Sequence, residues 1–401
     1  MKTTYDTIVL GCGGIGCAAL YWLSRRIPHD TLGLEQFEIG HSKGGSQDHS
    51  RIIRLTYESD NYTRLTPHTY AAFAAVEDES AVQLVHKTGG LTMTWQNGQG
   101  QGYVDDCADS MTRCGIPFER FGADELMRRY PQWRFEKEVD VLYQADMGLV
   151  DAAKANAVHL ALARHRRATL VDRCPVLSIR PARDSVAVVT AKETFSCRHL
   201  ILTAGGWTDK LLASLGINLG LTVTQEQVTY YATPNLRAFS MARFPTFIWE
   251  GDDNCYGFPV YGEVATKIGM DASGPIVDPD QRDYLPDPAR EARAERWLKQ
   301  HCPGFLGPIL YTKTCQYDMT RDRHFILDTL PQHPAISVFV GAGHAYKFAS
   351  LSGKILSELA LDGKTTHDIS TFTLNRPAIT DPNYPLAFAR TMTQAAHSLA
   401  P

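Results

Sequence analysis

The stretch Gly11-Cys12-Gly13-Gly14-Ile15-Gly16 stands directly after an apolar strand, Thr7–Leu10, and directly before a run with helical spacing that reaches about Arg25. No other feature constrains the fold as strongly. Gly11 permits a tight turn, Gly13 lets the backbone approach a pyrophosphate, and Gly16 lets helix and sheet pack closely. A diphosphate then rests on the helix amino terminus, where free N–H groups and the dipole favour negative charge. The next strand, Thr31–Glu35, ends on an acid 19 residues after Gly16, placed to accept hydrogen bonds from a ribose diol. A glycine-rich turn without a ligand needs neither the helix nor the acid. Gly11, Gly13, Gly14, Ile15, Gly16 and Glu35 are therefore candidate dinucleotide-binding residues.

Two later stretches share this strand-and-helix texture. Asp151 to Gly206 holds a helix carrying Ala155, Val158, Leu160, Leu162 and Ala163, strand-like Thr169–Val171 and Ser185–Val189, and the apolar strand His199–Thr203. Ile336–Val340 runs into Gly341-Ala342-Gly343 and then a helix over Ser350–Leu361. The intervening segments are rich in aromatics and short alternating runs, such as Gln227–Tyr231, Thr246–Trp249 and Cys255–Val260. The pattern predicts an α/β plus α+β chain with a Rossmann-like domain, discontinuous over 1–85, 150–221 and 322–390. An antiparallel-sheet substrate domain over 86–149 and 222–321 is inserted into it. At 401 residues the chain is long enough for two cores, and a cleft between them is the expected small-molecule site.

Several function classes are disfavoured. A net charge of -4 leaves no basic footprint for nucleic acid. No apolar run approaches the roughly 18 residues of a membrane span. The nine cysteines are scattered without a CxxC pair, which fits a reduced chain better than a disulfide framework or zinc site. No ligand cluster suggests a metal. The start lacks a basic region before a cleavable apolar stretch, and Ser398-Leu399-Ala400-Pro401 lacks the peroxisomal tripeptide, so a cytoplasmic location is expected.

Five further stretches sharpen the reading: Ser50-Arg51-Ile52-Ile53-Arg54-Leu55-Thr56-Tyr57; Leu202-Thr203-Ala204-Gly205-Gly206-Trp207-Thr208; Tyr256-Gly257-Phe258-Pro259 with Lys267; Cys315-Gln316-Tyr317 with His324-Phe325-Ile326-Leu327-Asp328; and Gly343-His344-Ala345-Tyr346-Lys347-Phe348. In this order and at these separations they resemble the monomeric sarcosine oxidase family, which includes N-methyltryptophan oxidase and pipecolate oxidase, within the D-amino-acid-oxidase-like flavoproteins. The likeness covers nearly the whole chain. It implies FAD as cofactor, attached covalently through Cys315 at the flavin 8α carbon. It implies that Lys267 lies over the isoalloxazine and promotes reaction with oxygen, since a fixed cation stabilises the charge that develops. Arg54 and Lys347 match the cations that hold a substrate carboxylate, a fork and a point charge. Arg51 is expected to face the flavin, with Ser46 beside it, and Tyr256 and Tyr317 to line the substrate pocket. Ala204, Gly205, Trp207, Gly343, His344 and Lys347 complete the cofactor set. Backbone N–H groups at a helix starting near His344 would face the flavin N1–C2=O region, while the side chains of His344 and His324 are read as structural.

The chain departs from the family pattern at three places. The loop Gly45-Ser46-Gln47-Asp48-His49-Ser50 is one residue shorter, so His49 matches neither histidine of the family pair. Asp271 stands where the family has a histidine, and the wall beside Lys347 is altered. The pocket is thus changed while the flavin and oxygen machinery is retained, and sarcosine is not the expected preferred substrate. The expected activity is that of a monomeric FAD-dependent oxidase of a small secondary amine or amino acid, N-methyl or cyclic, giving an imine and hydrogen peroxide. Oxidation of a primary amine or amino acid, a dehydrogenase using another electron acceptor, and a non-catalytic flavin protein are the alternatives.

Overall fold

The amino-terminal apolar run forms the strand Thr4–Leu10, whose last four residues are all buried, and the glycines turn it into the helix Gly14–Ser24. The structure is a computed structural model describing residues 2–388. The carboxyl-terminal Ser398–Pro401 stretch and the last two residues of the 322–390 segment lie outside the described residues. Thr4–Leu10 pairs in parallel with Thr31–Leu34 on one side and Thr194–Leu202 on the other. Thr169–Val171 extends the first edge, and Ile336–Val340 pairs in parallel with the end of Thr194–Leu202. An antiparallel pair, Val176–Pro181 and Val186–Thr190, and the strand Ile326–Thr329 complete this eight-stranded sheet.

Three helices from distant parts of the sequence pack together on this sheet: Gly14–Ser24, Ala152–His165 and Ala349–Asp362. Small residues allow the approach. A Cβ on Gly353 would lie 2.5 Å from the Ala19 nitrogen and 2.6 Å from the Ala18 carbonyl carbon.

A second eight-stranded sheet runs in the order Ile309–Met319, Thr222–Tyr231, Thr266–Met270, Cys255–Phe258, Thr246–Glu250, Gly90–Trp95, Val139–Gln144, Glu119–Phe121. It departs from the expected antiparallel pattern at one junction, where Thr246–Glu250 runs parallel to Gly90–Trp95. These two strands come from separate stretches of chain, so no hairpin forces them antiparallel. Successive side chains on a strand point to opposite faces. Phe247 and Trp249 therefore enter an aromatic core with Trp133, Phe135, Trp297 and Leu298, while Ile248 and Glu250 turn the other way. Cross-strand register extends that second face: Ile248 faces Tyr256, Phe258 faces Lys267, Lys267 faces Tyr230, and Glu226 faces Cys315.

A small third sheet joins Arg51–Ile53 and Val85–Lys87 to Gly148–Val150. Strands of three residues carry too little periodicity to be read from sequence. Among the described residues no helix is long and apolar enough to cross a membrane.

The Gly353 contact carries a test. Gly353→Ala pushes a methyl group against backbone and should destabilise the protein by about 1–3 kcal/mol. Because the displaced helix is the one that opens at the glycine loop, flavin occupancy of the purified protein should fall as well. Urea unfolding and the visible absorbance of the same preparation read the two effects.

Candidate active site

A cavity of about 960 Å³ runs from the glycine loop to the inward face of the second sheet. That volume lies at the upper end for small-molecule sites. Its first half fits a dinucleotide. Gly11 has a φ of +94°, which favours glycine, and a Cβ on Gly16 would lie 1.9 Å from the Gly11 carbonyl oxygen. Gly11, Gly13, Gly14 and Ile15 border the cavity, and Gly16 lies behind them as the packing glycine. No side chain caps the helix Gly14–Ser24, so its first N–H groups are available to an anion. The Glu35 carboxylate accepts hydrogen bonds from Cys12 N–H at 2.9 Å and Phe37 N–H at 3.0 Å. Burial alone would push its pKa up, but His41 and these two N–H groups hold it below the usual range. Oε1 also meets His41 Nε2 at 3.4 Å, so Oε2 is the oxygen that keeps a lone pair for a diol. Ser46, Ala204, Gly205 and Trp207 border the same half, and Trp207 is fixed by donating to Asp280 at 2.6 Å.

The second half is lined by Arg51, Arg54, Tyr256, Cys315, Tyr317, Gly343, His344 and Lys347. Arg51 staples the loop before it, donating to the carbonyl oxygens of Ser50, Gln47 and Gly45. Burial pushes the Cys315 thiol up, with Arg51 pulling in the opposite direction. Lys267 does not border the cavity. It stands one side chain behind, 2% exposed, donating to Ser50 O at 2.7 Å and Ser50 Oγ at 3.1 Å. Its ammonium lies 2.8 Å from Asp48, which does border the cavity.

Asp48 is the residue that sequence reasoning missed here. Its φ of +94° is rare for a residue with a side chain, and Tyr230 donates to its Oδ1 at 2.7 Å. Burial would push the Asp48 carboxyl up, but Lys267 and Arg51 hold it far below the usual range. Burial still wins at Lys267, whose pKa falls to about 8 despite that partner. His49 points elsewhere and pairs with Glu263 at 3.1 Å.

Beyond these residues the cavity meets a group of charges. Arg54 lies over the Tyr57 ring at 4.3 Å, and its Nε and Nη1 have no protein partner among the described residues. The Lys347 ammonium donates to His344 O at 2.8 Å; burial, then Arg54, pushes its pKa well down. Asp271, the anion expected to disturb this wall, is paired with Arg323 at 2.8 Å. Nothing in the charged run Arg321-Asp322-Arg323 marked that partner in advance. The helix after Gly343 begins later than expected: the His344 N–H is spent on Gly341 O at 3.1 Å, a 3-10 turn covers Tyr346–Phe348, and the α-helix starts at Ala349. The His344 and His324 side chains make structural hydrogen bonds, His324 to the Tyr62 hydroxyl at 3.3 Å.

The chain is similar to known proteins over most of its length. The model of the FAD dependent oxidoreductase family matches residues 6–359. The chain is 32% identical over 388 residues to a monomeric sarcosine oxidase of Streptomyces avermitilis, covering 94% of this chain and 99% of that protein. It is 28% identical to the N-methyl-L-tryptophan oxidase of Escherichia coli, covering 93% and 99%. Among solved structures, NikD, described as an unusual amino acid oxidase essential for nikkomycin biosynthesis, superposes with a TM-score of 0.81 at 27% identity, covering 93% and 98%.

The buried Asp48–Lys267 pair predicts a pH signature. The folded pKa of Asp48 is depressed, so its contribution is present above the unfolded value of about 3.9 and lost as pH falls below it. Asp48→Asn leaves a buried ammonium without its counter-ion and should cost about 3–5 kcal/mol at neutral pH. The variant should also show a flatter decline between about pH 5 and 2. Urea unfolding across that range checks both.

Proposed function

The chain belongs to the FAD dependent oxidoreductase family, and from that premise we propose that it oxidises a small amine or amino acid, of N-methyl or cyclic type, with dioxygen as electron acceptor. The observation that carries this reading is Arg54: a buried guanidinium with two unpartnered nitrogens, in the same cavity as the glycine loop. A carboxylate in that position satisfies a fork that the protein leaves open. Lys347 borders the same wall, and an anion bound there favours its protonated form against the burial that pushes its pKa down. The low-dielectric, cationic surroundings favour the unprotonated amine, the form that has a lone pair to assist oxidation. Bound FAD supplies the two-electron acceptor for conversion of the amine to an imine, and dioxygen takes up those electrons to give hydrogen peroxide.

Lys267 contributes a fixed positive charge behind Asp48 and Arg51, placed to stabilise negative charge as dioxygen is reduced. Cys315 is the proposed covalent anchor, because its thiol borders the cavity on the sheet face that also carries Lys267. Arg51 beside the thiol favours the thiolate that attachment requires. The reading includes a monomeric protein in the cytoplasm, in keeping with nine cysteines that are all free.

One observation favours a second reading, in which the electrons pass to an acceptor other than oxygen: the charge of Lys267 is matched by Asp48 and set back from the cavity.

Three experiments test these assignments. Lys267→Met should slow the oxygen-dependent return of yellow colour by about 100-fold or more, while anaerobic bleaching by an amine changes less than about tenfold. In the wild type the oxygen step should slow as pH rises through about 8, where Lys267 loses its proton, and Met at this position should abolish that dependence. Equal losses in both half-reactions would reject the role of Lys267, and absence of peroxide in an oxygen electrode would support the second reading. For the anchor, acid precipitation should leave yellow colour in the wild-type pellet and release it to the supernatant from Cys315→Ala.

A further inference from the structure

Most charge around the substrate half of the cavity is matched within the protein. Asp271 holds Arg323, Asp48 holds Lys267, and Glu226 holds Arg290 at 2.7 Å. Arg54, Lys347, Glu58 and Glu250 line this half outside those pairs, and two of them bear on substrate choice. One is Arg54, nine-tenths buried with Nε and Nη1 unpartnered. The other is Glu250. It closes the strand Thr246–Glu250, and alternation with Trp249 turns its side chain into the same cavity, beside Ile248. Its carboxyl makes no hydrogen bond to a described residue. Burial, then Asp271, pushes its pKa up to about 8.

Resting on the amino-acid oxidase reading above, we propose that Glu250 is a specificity-determining residue that receives a cationic nitrogen on the substrate's side chain, an ω-ammonium or guanidinium group, while Arg54 holds the α-carboxylate. The cavity has two poles. Arg54 and Lys347 form the positive one. Glu250, Asp271 and Glu58 border the cavity as acids, and of these only Asp271 has a cation paired to it. An N-methylated glycine would set nothing against Glu250 and leave a half-buried carboxyl without a partner. With its pKa at about 8 the Glu250 carboxyl is largely protonated at neutral pH while nothing faces it. A side chain ending in a cation draws it into the ionised form and pairs with it, and complementary charge of this kind governs selection between substrates. Tyr103 and Ile248 border the same region and give apolar surface for the intervening methylenes.

The test uses the flavin-loaded protein and two ligands that lack an α C–H, so that neither is oxidised at that carbon: α-methyl-lysine and its isosteric alkyl counterpart, 2-amino-2-methylheptanoate, each enantiomer separately. Binding is read from the perturbation of the visible flavin spectrum. The wild type should bind α-methyl-lysine about tenfold or more tightly than the alkyl ligand. Glu250→Gln should bring the two within about twofold by weakening only the cationic ligand, and Glu250→Asp should retain part of the preference. The variants' unperturbed spectra and melting temperatures report whether they fold as the wild type does. No preference in the wild type, or a preference that survives in Glu250→Gln, overturns the proposal. Anaerobic bleaching separates its failure from that of the parent reading: equal rates with lysine and 2-aminoheptanoate remove only the role of Glu250, whereas no bleaching by any amine or amino acid removes both.

Discussion

The second sheet is buried on both faces, and that constraint governs the site. One face packs its aromatics against the helix Pro288–His301; the other turns toward the cavity. A charged side chain on the cavity face is removed from bulk water and is tolerable only when paired or hydrogen-bonded. The structure meets this condition residue by residue: Lys267 with Asp48 and Ser50, Glu226 with Arg290, Asp271 with Arg323. Against that background an unpaired charge is informative. The protein bears the desolvation of Arg54 without an internal return, which is the mark of a group held ready for a ligand.

Much of the fold was legible because it rests on local rules. The strand–glycine–helix opening, the acid after the second strand and the alternation of Thr246–Glu250 each follow from steric or periodic requirements that a short window displays. Ile336–Val340 was read at its observed limits for the same reason. The parallel junction between Thr246–Glu250 and Gly90–Trp95 was not legible, because nothing within either strand specifies its neighbour's direction. The three-residue strands of the small sheet are likewise set by the partners they meet.

In the candidate site, types of residue were easier to name than their partners. The cavity gathers Arg51, Arg54, Tyr256, Cys315, Tyr317 and Lys347 from four separate stretches. Sequence reading named Lys267 without the partners that surround it, the Asp48 carboxylate and the Ser50 carbonyl and hydroxyl. That pairing depends on a loop whose conformation, with Asp48 at positive φ, is stabilised by a contact more than 180 residues away in the chain. Asp271 read as a lone anion because Arg323 is 52 residues distant and sits in an ordinary-looking charged run. Glu250 could have been found: it follows Ile248 by two positions on a strand whose other face is aromatic.

The substrate wall also explains why the side chain of His344 stays neutral. Burial, with Lys347 and Arg323 nearby, pushes its pKa well down. Its Nε2 lies 2.9 Å from the Arg323 carbonyl, an acceptor only, so this nitrogen carries the proton. Nδ1 is then the acceptor for the Tyr57 hydroxyl at 3.3 Å. Tyr57 in turn lies beneath Arg54 and 5.7 Å from the Lys347 ammonium. One neutral imidazole thereby fixes the ring that supports both cations and the loop that carries the third. Protonation would place a fourth positive charge among them and remove the acceptor that orients Tyr57. The tautomer is therefore set by the same concentration of buried positive charge that leaves Arg54 without a protein partner.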